Sequence, residues 1–179
     1  AHTRKDTIAF CGYHGWHDWY LATNLTGKDE LKDHLLQGLE PAGVPKGLHG
    51  TVLPFRYNHI EELEKIVSQE KDKLAAIVME PIHSISPEND FLKKVREIAT
   101  RTGVVLIFDE ITVGWKLTYG GAHLLYGVDP DIAVFSKAMS NGHPMAAIIG
   151  RTDVMQAAQQ SFISSTYWTE RVGPGAALA

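Results

Sequence analysis

Apolar and polar positions along the chain fall into two kinds of block. Short, nearly unbroken apolar runs occur at residues Thr7–Cys11, 51–55, Leu74–Met79, 104–108, Ile132–Phe135 and 145–149, and each predicts a strand. Between some of them the apolar period lengthens. Residues 59–70 carry Ile60, Leu63, Ile66 and Val67 at helical spacing. Residues 88–102 repeat the pattern through Phe91, Leu92, Val95, Ile98 and Ala99, and Gly103 ends it. Residues 151–160 predict another helix, with Thr152 or Asp153 near its cap. Apolar strands alternating with amphipathic helices predict an α/β fold, a mostly parallel sheet sandwiched by helices. Residues 24–50, with Gly38, Pro41, Gly43, Pro45, Gly47 and Gly50, predict a long loop with one helical turn around residues 31–35. No internal repeat or low-complexity tract is present.

Three of the strand runs deliver an ionisable side chain just past their carboxyl ends: Glu80-Pro81, Asp109-Glu110 and Ser136-Lys137. Open α/β sheets bind ligands along that edge. Alone, Lys137 reads as a solvated lysine and Asp109 as a helix cap or one half of an ion pair. Together they suit pyridoxal phosphate, whose aldehyde an amine captures and whose pyridinium nitrogen a carboxylate keeps protonated. A lysine held among apolar residues also has its ammonium form disfavoured, which makes it a usable nucleophile and base.

Two loops add to this picture. Residues 12–20, Gly-Tyr-His-Gly-Trp-His-Asp-Trp-Tyr, follow a strand and could stack an aromatic ring on a flat heterocycle, or form an aromatic satellite core. Ser164-Ser165-Thr166-Tyr167-Trp168-Thr169 is rich in hydroxyls and reads either as a phosphate-binding loop or as a plain N-cap cluster. His14 and His17 lack a nearby third ligand of matching spacing, so no metal site is expected. There is no GxGxxG, GxxxxGK[ST] or GxSxG pattern, which disfavours an unrelated phosphotransferase.

Composition narrows the class. With 44% hydrophobic and 21% charged residues, the 179-residue chain has the make-up of a globular domain. A formal net charge of -4 gives no basic field for nucleic acid or an anionic membrane. No apolar run approaches the roughly 18 residues that a membrane span needs. The single cysteine, Cys11, excludes an internal disulfide and fits a reducing, cytoplasmic setting. The opening Ala1-His2-Thr3-Arg4-Lys5-Asp6 carries neither an initiator Met nor a signal-peptide pattern, and the close on Gly175-Ala176-Ala177-Leu178-Ala179 reads as a helix still running. Both ends predict a piece of a longer protein.

The order and spacing of several words resemble class III, fold-type I, pyridoxal phosphate-dependent aminotransferases over essentially the whole chain. The words are Tyr13-His14-Gly15, Glu80-Pro81, Phe108-Asp109-Glu110-Ile111 followed by Gly114-Trp115, Gly120-Gly121-Ala122-His123, Gly127-Val128-Asp129-Pro130-Asp131-Ile132, Ser136-Lys137-Ala138-Met139, Asn141-Gly142, Pro144 and Gly150-Arg151. Within the family the sequence is most similar to glutamate-1-semialdehyde 2,1-aminomutase-like proteins.

The resemblance implies that residues 1–179 are part of the large cofactor-binding domain, truncated at both ends, without the family's N-terminal phosphate-loop segment and C-terminal small domain. It implies that Lys137 matches the Schiff-base lysine and Asp109 the partner of the pyridine nitrogen, these two being the catalytic pair. Tyr13 matches the ring-stacking aromatic, with His14 beside it in the cofactor site, and Ile111 matches the branched residue under the opposite face. Thr166 matches the threonine that reaches the cofactor phosphate of the neighbouring subunit, which implies a homodimer. Glu80 matches an acid of the cofactor pocket. After Glu80-Pro81 the chain reads Ile82-His83-Ser84-Ile85-Ser86, where the ornithine and γ-aminobutyrate transaminases carry a second glutamate, and this argues against those specificities. The implied activity is transfer of an amino group between small amino and carbonyl compounds, or its shift within one molecule. A non-catalytic binding homologue, or a fragment inactive by itself, is the alternative.

Overall fold

A computed structural model describes residues 1–27, 29–34, 37–165 and 167–179. Six strands form one sheet in the order β2-β1-β3-β4-β5-β6: β1 (Thr7–Cys11), β2 (Val52–Pro54), β3 (Leu74–Met79), β4 (Val105–Asp109), β5 (Ile132–Phe135) and β6 (Ala147–Gly150). Strands β1 to β5 pair in parallel, and β6 joins β5 antiparallel. The mostly parallel α/β sheet expected from the alternation is therefore what forms. The antiparallel direction of β6 follows from the short connection after β5. A parallel return needs a crossover of a dozen or more residues, and only eleven residues lie between β5 and β6, with a 3-10 turn among them.

Alternation within each strand assigns its two faces. Ala9, Cys11, Ile77, Met79, Leu106 and Phe108 point into the main core with Leu63 and Val67 of α2 (Ile60–Glu70) and Phe91, Leu92, Val95, Ile98 and Ala99 of α3 (Phe91–Thr102). On the other face, Ile8, Phe10 and Val78 meet Tyr20 of the short α1 (Asp18–Leu21), Leu31 and Val44. Ala76, Val105, Ile107 and Ile132 meet Val154 of α4 (Thr152–Met155) on that same face. Helix α3 stops because Gly103 adopts φ 68°, a left-handed value open to glycine, and its N–H bonds back to the Ala99 carbonyl.

Some local expectations change. Arg151 is the cap of α4, with Thr152 and Asp153 directly after it, and no side chain caps that helix. After one turn the segment tightens into a 3-10 helix over Gln156–Gln160. In the long 24–50 connection, residues 31–34 are turns, with the His34 N–H donating to the Leu31 carbonyl at 2.9 Å, and Leu35 lies outside the described residues. A last helix, α5 (Val172–Leu178), follows the hydroxyl-rich loop.

Register aligns the carboxyl ends of the central strands. Cys11 pairs with Met79, Met79 with Phe108, and Asp109 with Val134. At the opposite edge β4 and β5 are tied by Asp131. Its carboxylate accepts the Leu106 N–H at 2.8 Å and meets Arg96 and Arg151, each at 3.0 Å, while its own N–H donates to the Leu106 carbonyl at 2.8 Å. Asp131 is 3% exposed, so deleting its carboxylate strands the buried Leu106 N–H, while Arg151 keeps Asp153 and Arg96 keeps Thr100. Asp131→Ala is expected to cost about 1–3 kcal/mol of stability, read from the denaturant midpoint.

Candidate active site

The aligned strand ends place four chain segments along one sheet edge: Gly12-Tyr13-His14 after β1, Glu80 after β3, Asp109 at the end of β4 and Ser136-Lys137 after β5. Parallel strands leave their following loops on the same side, so a register set by the core gathers these groups.

Asp109 is held from two sides. One carboxylate oxygen lies 2.9 Å from His14 Nδ1, and the other accepts the Ile111 N–H at 3.1 Å. The far nitrogen of His14, Nε2, lies 2.9 Å from the Cys11 carbonyl. His14 is buried, and Asp109 keeps side-chain exposure of 15%. Each carboxylate oxygen has two acceptor positions, so Asp109 retains capacity for another donor.

Lys137 is exposed and opens a 3-10 turn. Its φ is 48°, a left-handed value that a residue with a Cβ adopts at a cost, and such values concentrate at functional sites. Its Nζ donates to Thr112 Oγ1 at 3.0 Å. Ser136 Oγ donates to the Met145 carbonyl at 2.8 Å and fastens the residue before it. A cleft of about 460 Å³ opens beside this turn, lined by Ser136, Pro144, Met145, Ser165, Tyr167 and Trp168 among others.

Tyr13 is half-buried, with Trp16 and Tyr20 packed edge-on against its ring, both at 6.0 Å between centroids, at 68° and 87°. Tyr20 is fully buried and its hydroxyl donates to the Gly12 carbonyl at 3.1 Å; burial raises that hydroxyl above its ordinary pKa. Ile111 is half-buried in the turn that follows Asp109. Thr166 lies outside the described residues. Glu80 is 4% exposed, and its Oε2 has no hydrogen-bond partner among the described residues. His83 Nδ1 approaches that oxygen to 2.7 Å, close enough for a charge pair but not aligned as a hydrogen bond. Gly12 leaves the space: at φ 101°, a Cβ there would meet Glu80 Oε2 at 2.9 Å. Burial, then the charge of Glu80, pushes the Cys11 thiol up, which keeps it protonated and unreactive.

Among the described residues no group of three His, Cys, Asp or Glu side chains could hold a metal ion.

Sequence reasoning did not single out three residues that the structure brings to this edge. Glu110 is fully buried and accepts the Ala122 N–H at 2.9 Å and the His123 N–H at 3.0 Å, with His123 Nδ1 at 2.7 Å. It pins the return of the 111–121 loop. Its signal was a glutamate directly after an apolar strand, masked by the more reactive Asp109 beside it. Thr112 reaches Lys137 only because β4 and β5 are neighbours. His34 comes from the irregular segment, and its Nδ1 accepts the Gly12 N–H at 3.3 Å.

The whole chain, residues 1–179, matches the family model for class-III aminotransferases. It is 37% identical over 185 residues to the 3-aminobutyryl-CoA aminotransferase of Cloacimonas acidaminovorans, an alignment covering 99% of this chain and 41% of that protein. It is 38% identical over 162 residues to the glutamate-1-semialdehyde 2,1-aminomutase of Clostridium tetani, covering 87% of this chain and 37% of the relative. Among solved structures, an omega-transaminase from Sphaerobacter thermophilus superposes with a TM-score of 0.83 at 26% identity, covering 99% of this chain and 43% of that one. The chain thus spans about two fifths of the length of the relatives it matches.

Burial pushes His34 down to a pKa of about 4, from an ordinary 6.5. The unfolded chain therefore takes up a proton at a pH where the folded chain does not. Stability falls as pH drops from 6.5 towards 4 and loses nothing further to this group below that. Replacing the imidazole by a non-titrating acceptor, His34→Asn, is expected to flatten this part of the acid limb. Denaturant midpoints of both proteins across that window measure it.

Proposed function

The chain belongs to the class-III aminotransferase family, and from that premise we propose that the protein uses pyridoxal phosphate to move an amino group between small molecules or within one. The observation that carries this reading is the arrival of Asp109 and Lys137 at one sheet edge on neighbouring parallel strands in register. The donor set suits the cofactor. Asp109 has unused acceptor capacity and partial exposure, and the exposed Lys137 amine is held by a hydroxyl rather than by a carboxylate.

In this reading Asp109 holds the ring nitrogen in its protonated form, and His14 and the Ile111 N–H fix the carboxylate from behind. Tyr13 and Ile111 would hold the ring from its two faces, and Glu80 would stand in the wall of the same site. When bound, pyridoxal phosphate supplies an electron sink for the carbon that loses its proton. Lys137 Nζ takes that proton and returns it to a neighbouring atom, as general base and then general acid. Transfer to a second carbonyl compound and shift within one molecule use these same groups.

Residues 1–179 are assigned to part of the large cofactor-binding domain of a cytoplasmic homodimer. Thr166, whose hydroxyl is assigned to the cofactor phosphate of the neighbouring subunit, belongs to a segment that supports a dimer. The flanking Phe162, Ile163, Tyr167 and Trp168 expose apolar surface at 96%, 57%, 51% and 71%. Exposure of that kind marks an interaction surface. Among the described residues no helix is long and apolar enough to cross a membrane.

Lys137→Ala is expected to abolish borohydride-stable attachment of pyridoxal phosphate, and to lower turnover of an amino donor by about 10²–10⁴-fold. Asp109→Asn keeps the attachment and slows turnover. Attachment at a different lysine, or a full-length protein that stays colourless with the cofactor, rejects the proposal.

A further inference from the structure

We propose that Thr112 is a positioning residue that holds the Lys137 amine at the sheet edge through both of its protonation states. This rests on the functional reading above, in which Lys137 takes and returns a proton. The contact is Lys137 Nζ donating to Thr112 Oγ1 at 3.0 Å, across 25 residues of sequence.

The partner's chemistry fits the task. An ammonium group can only donate, whereas a free amine also carries a lone pair that can accept. A carboxylate in the position of Thr112 would accept only, and would hold the ammonium form. An apolar side chain would hold neither form. A hydroxyl both accepts and donates, so it satisfies the amine before and after proton loss with only a rotation of its own hydrogen.

Two separately braced turns set the contact. Asp109 pairs with Val134 across β4 and β5, and Thr112 and Lys137 each lie three residues beyond that pair. On the Thr112 side, the Ile111 N–H donates to Asp109 at 3.1 Å and the Gly114 N–H donates to the Glu110 carbonyl at 2.7 Å. On the Lys137 side, the φ of 48° turns the backbone out of the strand, and Ser136 is tied to the Met145 carbonyl. The Glu110 N–H donates to the Val134 carbonyl at 2.9 Å and joins the two turns at their base. The hydroxyl is therefore fixed relative to the same carboxylate that is assigned to the cofactor ring.

The test compares the native protein with Thr112→Val, which keeps the shape and removes the hydroxyl, Thr112→Ala, which removes both, and Thr112→Ser, which keeps the hydroxyl. The readout is the rate at which pyridoxal phosphate becomes borohydride-stable on Lys137, located by peptide mass spectrometry and followed over a range of cofactor concentrations. Loss of one hydrogen bond at the amine is expected to lower the limiting capture rate by about three- to tenfold in T112V and T112A. The half-saturating cofactor concentration should stay within about twofold, and T112S should recover the native rate. A limiting rate in T112V that equals or exceeds the native one overturns the inference and leaves the functional reading standing. So does a T112S protein as slow as T112V. Absence of capture at Lys137 in the native full-length protein overturns the functional reading itself.

Discussion

Parallel pairing of β4 with β5 in one register is the constraint on which the edge chemistry depends. The pairing is clamped at both ends. At the entry, Asp131 and Leu106 exchange two bonds, one through the Asp131 carboxylate and one through its backbone. At the exit, the Glu110 N–H reaches the Val134 carbonyl. Between the clamps Leu106 and Phe108 are fully buried in the core shared with α3. A slip of one residue would turn these side chains to the opposite face, so the core forbids it. The same slip would separate Asp109 and Thr112 from Lys137. Core packing and site geometry are thus one condition, enforced by the cost of exposing apolar surface.

The edge itself holds three carboxylates under different terms. Glu110 is wholly buried and spends its acceptors on two backbone N–H groups and His123, which makes it a brace for the loop that follows. Asp109 has one donor on each oxygen and keeps a partly open side. Glu80 is nearly as buried as Glu110, yet one of its oxygens has no hydrogen-bond partner among the described residues. Burial without donors is costly for a carboxylate, and braced carboxylates can be aimed. The three therefore form a graded set, from purely structural Glu110 to the available Asp109. Lys137 differs from all of them. It is exposed, and its position comes from a strained backbone angle and a hydroxyl contact.

Apolar runs foretold every strand of the sheet within a residue or two, and three of them, Thr7–Cys11, Leu74–Met79 and Ile132–Phe135, match their observed limits. The apolar sides of α2 and α3 were equally plain, because Leu63, Val67, Val95 and Ile98 recur at the helical period that one buried face requires. Weak signals gave only the neighbourhood where local energies are small. Thr152 and Asp153 marked the start of α4, while the cap position itself is Arg151, whose guanidinium is drawn to Asp131 and Asp153. The direction of β6 could not be read from its own residues, since periodicity is the same for either orientation.

The sequence by itself determined which residue types stand at the carboxyl ends of the strands, because the apolar runs locate those ends and the next residues are simply read off. It also determined family membership, which depends on the order of short words and not on contacts. Only the tertiary structure decided who touches whom at the edge: His14 with Asp109, His123 with Glu110, Thr112 with Lys137. These pairs lie 95, 13 and 25 residues apart, and their contact energies contribute nothing to local pattern. They follow from strand order, register and loop closure, which are settled when the whole sheet buries its core and not by any segment alone.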